Sequence, residues 1–119
     1  MRSDSGYDAP LWEQMTECMR MLDTALLECK ERGQRMVQTK AAYYTEKAEA
    51  AFDMREKGYP VTFIQDVLKG VPNVNRAMTA FNAAEVEYEN AREARNVIKK
   101  KLDTLREQYQ REWAAAKEE

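Results

Sequence analysis

Two long stretches of this chain place an apolar residue at every seventh position, and a short run dense in Val, Ile, Phe and Leu separates them. In the first stretch Met15, Leu22, Cys29, Met36, Tyr43 and Ala50 stand seven apart. They are flanked by Leu11, Cys18 and Ala25 and then by Val37, Tyr44 and Ala51. Apolar residues on a three-four spacing line one face of an α-helix, so this pattern predicts a helix over 8–57. Asp8 is placed to cap it and Pro10 falls in the first turn, where a missing N–H does no harm. Residues 1–7 read as a polar, disordered tail. Gly33 interrupts the stripe at a cost of about 1 kcal/mol against alanine. One continuous helix is favoured, and a break at 32–34 is the alternative.

The run "REKGYPVTFIQDVLKGVPN" carries the punctuation. Basic residues precede Gly58, Tyr59 can fold back on Met54, and Pro60 forbids continuation. Thr62 and Gln65 have capping-box spacing and predict a short helix over 62–69, closed by Gly70. Asn73 then stands as cap of a second long helix over 73–117. In that helix Phe81, Tyr88, Leu102 and Tyr109 share one register, and Ala84, Ala91, Ile98 and Leu105 share its partner, with Trp113 near the end. This is a heptad seam, with Arg95 standing where an apolar residue belongs. Two helices of matched length, each about 70 Å at 1.5 Å per residue, predict an all-α antiparallel helical hairpin with a short connector helix at its tip. Such a hairpin buries only a seam, so a homodimer sharing a four-helix core is expected.

Composition narrows the function. The chain has 119 residues and is read as one domain over 8–119, with a net charge of −2, 34% charged residues and mean hydropathy −0.79. No global basic field recommends nucleic acid, no apolar run approaches a membrane span, and no signal-peptide pattern opens the chain. A cytosolic protein without a membrane partner is expected. Cys18 and Cys29, eleven apart, would lie about 16 Å apart along one helix, too far for a bridge, and read as small buried apolar residues. The chain contains no histidine. That removes the commonest general base and the usual nucleophile pairs, along with ordinary zinc sites. No catalytic residue, metal or cofactor is assigned, and the protein is read as a non-enzyme.

Binding residues are more legible. Glu85, Glu89 and Glu93 lie along one helical face, but a di-metal bundle site would also need Glu-x-x-His motifs, so they read as a solvated acidic face. Arg92, Lys99 and Lys100, within the basic run that also holds Arg95, Lys101 and Arg106, are the residues to contact nucleic-acid backbone, possible single-stranded DNA included. The favoured reading of that run is a helix surface paired with glutamates of the other helix, because the aromatic residues fall on the buried register. Arg95 either fixes register in the seam or snorkels out of it. On the connector, Ile64, Val67 and Leu68 form an apolar face that either packs on the hairpin or grips another protein.

The segments "KAEAAFDMREKGYPVTFIQDVLKG" and "AEVEYENAREARNVIKKKLDTLREQYQREW" resemble small uncharacterised helical proteins encoded by phages and prophages of Gram-positive bacteria. The shared pattern is an Ala-spaced helix ending in Arg-x-x-Gly-x-Pro, an Ile-x-x-x-x-x-Gly connector, and an Ala-Glu-x-x-Tyr helix finishing Arg111-Glu112-Trp113. It covers about residues 40–113. Arg95 departs from it, since an aliphatic residue usually stands there. The resemblance implies an accessory protein from the early, recombination region of a phage genome. It would act by binding, either assisting DNA recombination or replication or occupying an unidentified phage or host protein, such as a factor of host defence or host replication. A purely structural coiled coil is the remaining alternative.

Overall fold

The computed structural model describes residues 9–118, and every regular element among them is helical. Helix α1 is Leu11–Glu56, α2 is Val61–Val67 followed by a 3-10 turn Leu68–Gly70, and α3 is Pro72–Glu118. The proposed cap Asp8 and the tail 1–7 lie outside the described residues. At the start of α1 the carbonyl of Pro10 accepts the N–H groups of Glu13 and Gln14 at 3.0 and 3.1 Å. Helix α1 runs unbroken through Gly33, so no break occurs at 32–34.

The reason Gly33 stands inside a helix is its neighbour. A Cβ added there would lie 3.2 Å from Tyr88 Cε1 and 3.6 Å from Tyr88 Cδ1. The glycine leaves space for the tyrosine ring, and that close packing offsets its poor helix propensity.

Gly58 terminates α1 for a different reason. Its φ of +88° belongs to the left-handed region that only glycine enters cheaply. The N–H of Gly58 donates to the Arg55 carbonyl at 3.0 Å, and that of Tyr59 to the Met54 carbonyl at 3.1 Å. This is the paired pattern of a Schellman stop. The starts of the next two helices differ from the sequence expectation. Helix α2 is entered from Pro60, with extended backbone and no side-chain cap, so Thr62 lies inside the helix. Helix α3 begins at Pro72, with the Val71 carbonyl accepting the Asn75 N–H at 2.8 Å. Asn73 therefore sits in the first turn, where its side-chain oxygen accepts from Arg76 Nη1 at 3.0 Å. Proline at the first helical position, with its fixed φ, made the separate side-chain cap unnecessary.

The chain packs as two compact units. One joins α1 through Cys29 to α3 from Ala91 onward; the other is Lys30–Asn90. Each is an antiparallel helix pair, which makes the protein an all-α helical hairpin with a short connector helix. In the first unit Cys18, Leu102 and Leu105 are buried together, with Leu11, Met15, Leu22 and Ile98 packed on them. The Cys18 thiol also donates to the Ile98 carbonyl at 3.5 Å. In the second unit Ile64, Leu68 and Val74 are buried, and Tyr43, Ala50, Ala51, Met54 and Val71 pack around them. Between these clusters in sequence, Tyr43 stacks on Phe81 with ring centroids 6.2 Å apart.

Two sets of seam residues need correction. Val37 and Tyr44 are 62% and 54% exposed. The register begun by Leu11, Cys18 and Ala25 continues instead through Arg32, Thr39 and Glu46, all half-buried. Polar residues hide that row from a search for apolar ones. Arg32 is accommodated by an ion pair with Glu87 at 3.0 Å, and Thr39 by donating its hydroxyl to the Arg35 and Met36 carbonyls. At the other end, Tyr109 and Trp113 are 42% and 61% exposed. Beyond Leu105 every residue of α3 whose side chain is described is exposed, because the cluster at the start of α1 ends with Leu11.

Candidate functional site

Ile64, Val67 and Leu68 do share one face of the connector, but that face looks inward. Ile64 and Leu68 are 4% and 7% exposed and form the core of the second unit, and Val67 is half-buried. Most of their surface is thus taken up by that core, and what Ile64 and Leu68 leave exposed lines the groove between α2 and α1. A short helix of seven residues has little intrinsic stability, so its apolar face is spent on holding it against the ends of α1 and α3.

What the connector leaves outside is different. Tyr59, Val61 and Phe63 are 47%, 57% and 45% exposed, as is Phe52 of α1 at 66%. The Tyr59 and Phe63 rings lie 5.2 Å apart. Val61 also lines a groove of about 390 Å³ between α2 and the last turns of α1. Tyr44, Ala48 and Ala51 form its α1 wall, Val61, Ile64 and Leu68 its α2 wall, and its lining is almost wholly apolar. Lys47 and Arg55 stand at the rim. The Lys47 ammonium lies 5.6 Å from the centre of the Tyr43 ring, a cation–π distance. The groove offers an apolar recess edged with positive charge. A search for one apolar seam misses it because that search places Tyr44 in the seam, whereas Tyr44 is 54% exposed. The usable signal was the spacing of Tyr44, Ala48 and Ala51, which are four and three apart and follow the row of Val37.

The three basic residues lie on α3 in the first unit. Arg92 and Lys99 are one heptad apart on a single row, about 10 Å along the axis, and Lys100 is on the neighbouring row; all three are exposed. The same unit carries Trp12 and Trp113, each 61% exposed, and Tyr109. The expectation that aromatic residues would lie on the buried register therefore fails for Tyr109 and Trp113. Arg95 is resolved as a snorkelling residue. Its Nε and Nη2 donate to Asn96 Oδ1 at 3.4 and 3.3 Å, and Asn96 is at the helix surface.

Among the described residues no group of three or more Cys, Asp or Glu side chains is arranged to hold a metal ion. No helix among them is long and apolar enough to cross a membrane. Comparison with known proteins found no family model, no curated protein and no solved structure that matches this chain. The class defined by the coordinates is an all-α helical hairpin with an apolar groove at its connector, and the likeness to phage-encoded helical proteins rests on the residues quoted for it.

Proposed function

We propose that the protein works by binding, without catalysis, and that its working surface is the groove between α2 and the end of α1. The observation that carries this reading is an open, nearly all-apolar recess of about 390 Å³, with Tyr44 and Val61, 54% and 57% exposed, in its walls. Contiguous exposed apolar surface with a polar rim is characteristic of protein-recognition sites. Lys47 and Arg55 at the rim select the chemistry of the partner: one aromatic or branched aliphatic side chain to fill the recess, flanked by carboxylates. The likeness to phage accessory proteins supports a partner in a bacterial cytosol, either a recombination or replication protein or a host factor to be occupied.

The test is selection from a displayed peptide library on the intact chain. Peptides with an apolar anchor beside Asp or Glu should be enriched, and Val61→Asp and Ala48→Arg should abolish their binding. Both residues are exposed, so the variants should melt like the parent. Enrichment of no such motif, or equal enrichment by Val61→Asp, would overturn the reading.

A nucleic-acid role is the second reading, favoured by one observation: exposed Trp12 and Trp113 share a unit with Arg92, Lys99 and Lys100. Stacking platforms next to cations are how sequence-tolerant single-strand binders work. It requires single-stranded DNA binding that weakens steeply with salt and quenches tryptophan fluorescence. Binding that is absent at low salt would dispose of it.

A further inference from the structure

The α1 wall of the connector groove is one end of a longer stripe. Around a helix that turns by about 100° per residue, Val37, Lys40, Lys47, Ala48, Ala51 and Arg55 all fall within about 60° of Tyr44. Val37 is 62% exposed and Lys40 is exposed, and neither lines the groove. They stand about 10 Å and 6 Å before Tyr44 along the axis, so the stripe from Val37 to Arg55 is about 27 Å long. Its charge has one sign. Lys40, Lys47 and Arg55 stand on it, seven and eight residues apart. The carboxylates of α1 in this unit, Glu31, Glu46, Glu49, Asp53 and Glu56, all lie about 120° or more from Tyr44. Elsewhere Arg20, Arg32, Lys57 and Arg106 each meet a carboxylate of the chain itself. Among the described residues no carboxylate pairs with Lys40, Lys47 or Arg55. The two lysines lie instead by Tyr44 and Tyr43, 5.9 and 5.6 Å from the ring centres.

Resting on the reading of the groove as a protein-binding site, we propose that its occupant is an amphipathic α-helix of another protein. That helix lies along α1 from Val37 to Arg55, with carboxylates at every seventh position facing Lys40 and Lys47. The spacing selects a helix. Seven residues of helix advance about 10 Å, the distance from Lys40 to Lys47 and from Val37 to Tyr44. A strand repeats one face about every 6.6 Å and falls out of step with both pairs. Helix-in-groove recognition uses anchors three, four and seven residues apart, and Tyr44, Ala48 and Ala51 present that spacing from the other side. The two alanines keep the surface low beside the Tyr44 ring, so a helix can approach closely. A bilayer surface is met instead by large apolar side chains that protrude, and here the apolar lining is a recess between α1 and α2. Charge complementarity then fixes the chemistry of the partner's edge: acidic, and free of lysine and arginine.

The experiment titrates the full chain against labelled synthetic peptides, followed by fluorescence anisotropy. One peptide is a helical design of about 20 residues, enough to span the stripe, with Leu on a three-four spacing and Glu at every seventh position. A second holds the same residues in scrambled order, and a third is a short peptide with a single Leu between glutamates. The helical peptide should bind about tenfold or more tighter than the other two and gain helical circular dichroism on binding. Val37→Asp and Lys40→Glu, at exposed positions outside the groove, should each weaken it about tenfold, the size of a lost close contact. Exchanging the facing Glu of the peptide for Lys should restore binding to Lys40→Glu. Both variants should keep the parent's helical circular dichroism. Equal binding of the scrambled peptide would overturn the proposal. So would Val37→Asp and Lys40→Glu without effect while Ala48→Arg abolishes binding, which would leave a short anchor in the groove and the groove reading intact. If no peptide binds, the proposal falls, and the displayed-library selection decides the groove reading separately. Lys40-dependent binding to vesicles of phosphatidylcholine and phosphatidylglycerol, or self-association lost in Lys40→Glu, would assign the stripe to a bilayer or a second copy and overturn the proposal as well.

Discussion

Replacing Ile64 by alanine separates an inward-facing connector from an outward-facing one. Ile64 is 4% exposed and packed with Leu68 and Val74, the latter with no exposed surface at all. Truncating such a side chain loses three carbons of buried apolar surface and leaves a cavity. Comparable core truncations cost about 2–5 kcal/mol. Unfolding entropy for a chain of this size makes each kcal/mol worth roughly 4 °C of melting temperature. The expected drop is therefore about 8–20 °C in a thermal melt followed by far-ultraviolet circular dichroism. Phe63→Ala is the control on the same seven-residue helix: its side chain is 45% exposed, and a surface truncation should stay within about 0.5 kcal/mol, or roughly 2 °C. A charged residue at 64 should be worse than alanine, because burying an unpaired carboxylate adds a desolvation cost. If Phe63→Ala destabilised the protein more than Ile64→Ala, or if Ile64→Ala left the melt unmoved, the assignment of the core to the inner face of α2 would be wrong.

Gly33→Ala should show a stability change near zero, since a gain of about 1 kcal/mol in helix propensity is set against a contact 3.2 Å from the Tyr88 ring. In a Tyr88→Ala background the same substitution should recover most of that gain, measured as a double-mutant cycle by urea denaturation. Arg32→Ala should cost no more than about 1 kcal/mol, because its ion pair with Glu87 is about 40% exposed on both sides and such pairs are worth little. The buried thiols of Cys18 and Cys29, 2% and 7% exposed, should react with a thiol reagent far more slowly in the native protein than in denaturant; equal rates would contradict their place in the seam.

The fold was legible because its strongest signals are backbone events. A glycine with positive φ at 58 followed two residues later by proline ends a helix whatever the surroundings, and the paired heptad rows of Phe81, Tyr88 and Leu102 and of Ala84, Ala91, Ile98 and Leu105 have no competing reading as a strand. Helix starts were less legible. Thr62 and Asn73 are good caps in isolation, but Pro60 and Pro72 stand one or two residues earlier and set the backbone entry themselves. The seam of α1 beyond Cys29 failed for another reason. An apolar search follows Val37 and Tyr44, which are exposed, whereas the packed row there is Arg32, Thr39 and Glu46; Ala51, further on, does pack on the core. Nothing in a single helix says that an arginine will find Glu87 across the hairpin and so can occupy a seam position.

The same substitution of polar for apolar residues explains where binding surfaces arise. A helix has a fixed number of apolar side chains, and those displaced from the seam must go elsewhere on its surface. In α1 Val37 and Tyr44 are so placed, and at Tyr44 the connector folds over to make the far wall of the groove. Polar residues in the half-buried row weaken the hairpin's own packing, while apolar residues outside it leave area for another molecule to cover. Selection for stability alone would exchange the two sets, putting Val and Tyr inward and Arg, Thr and Glu outward. A chain that keeps them reversed leaves apolar surface outside its own core, and on the proposed binding role the connector groove, walled by Tyr44 and Val61, is where that surface would be covered.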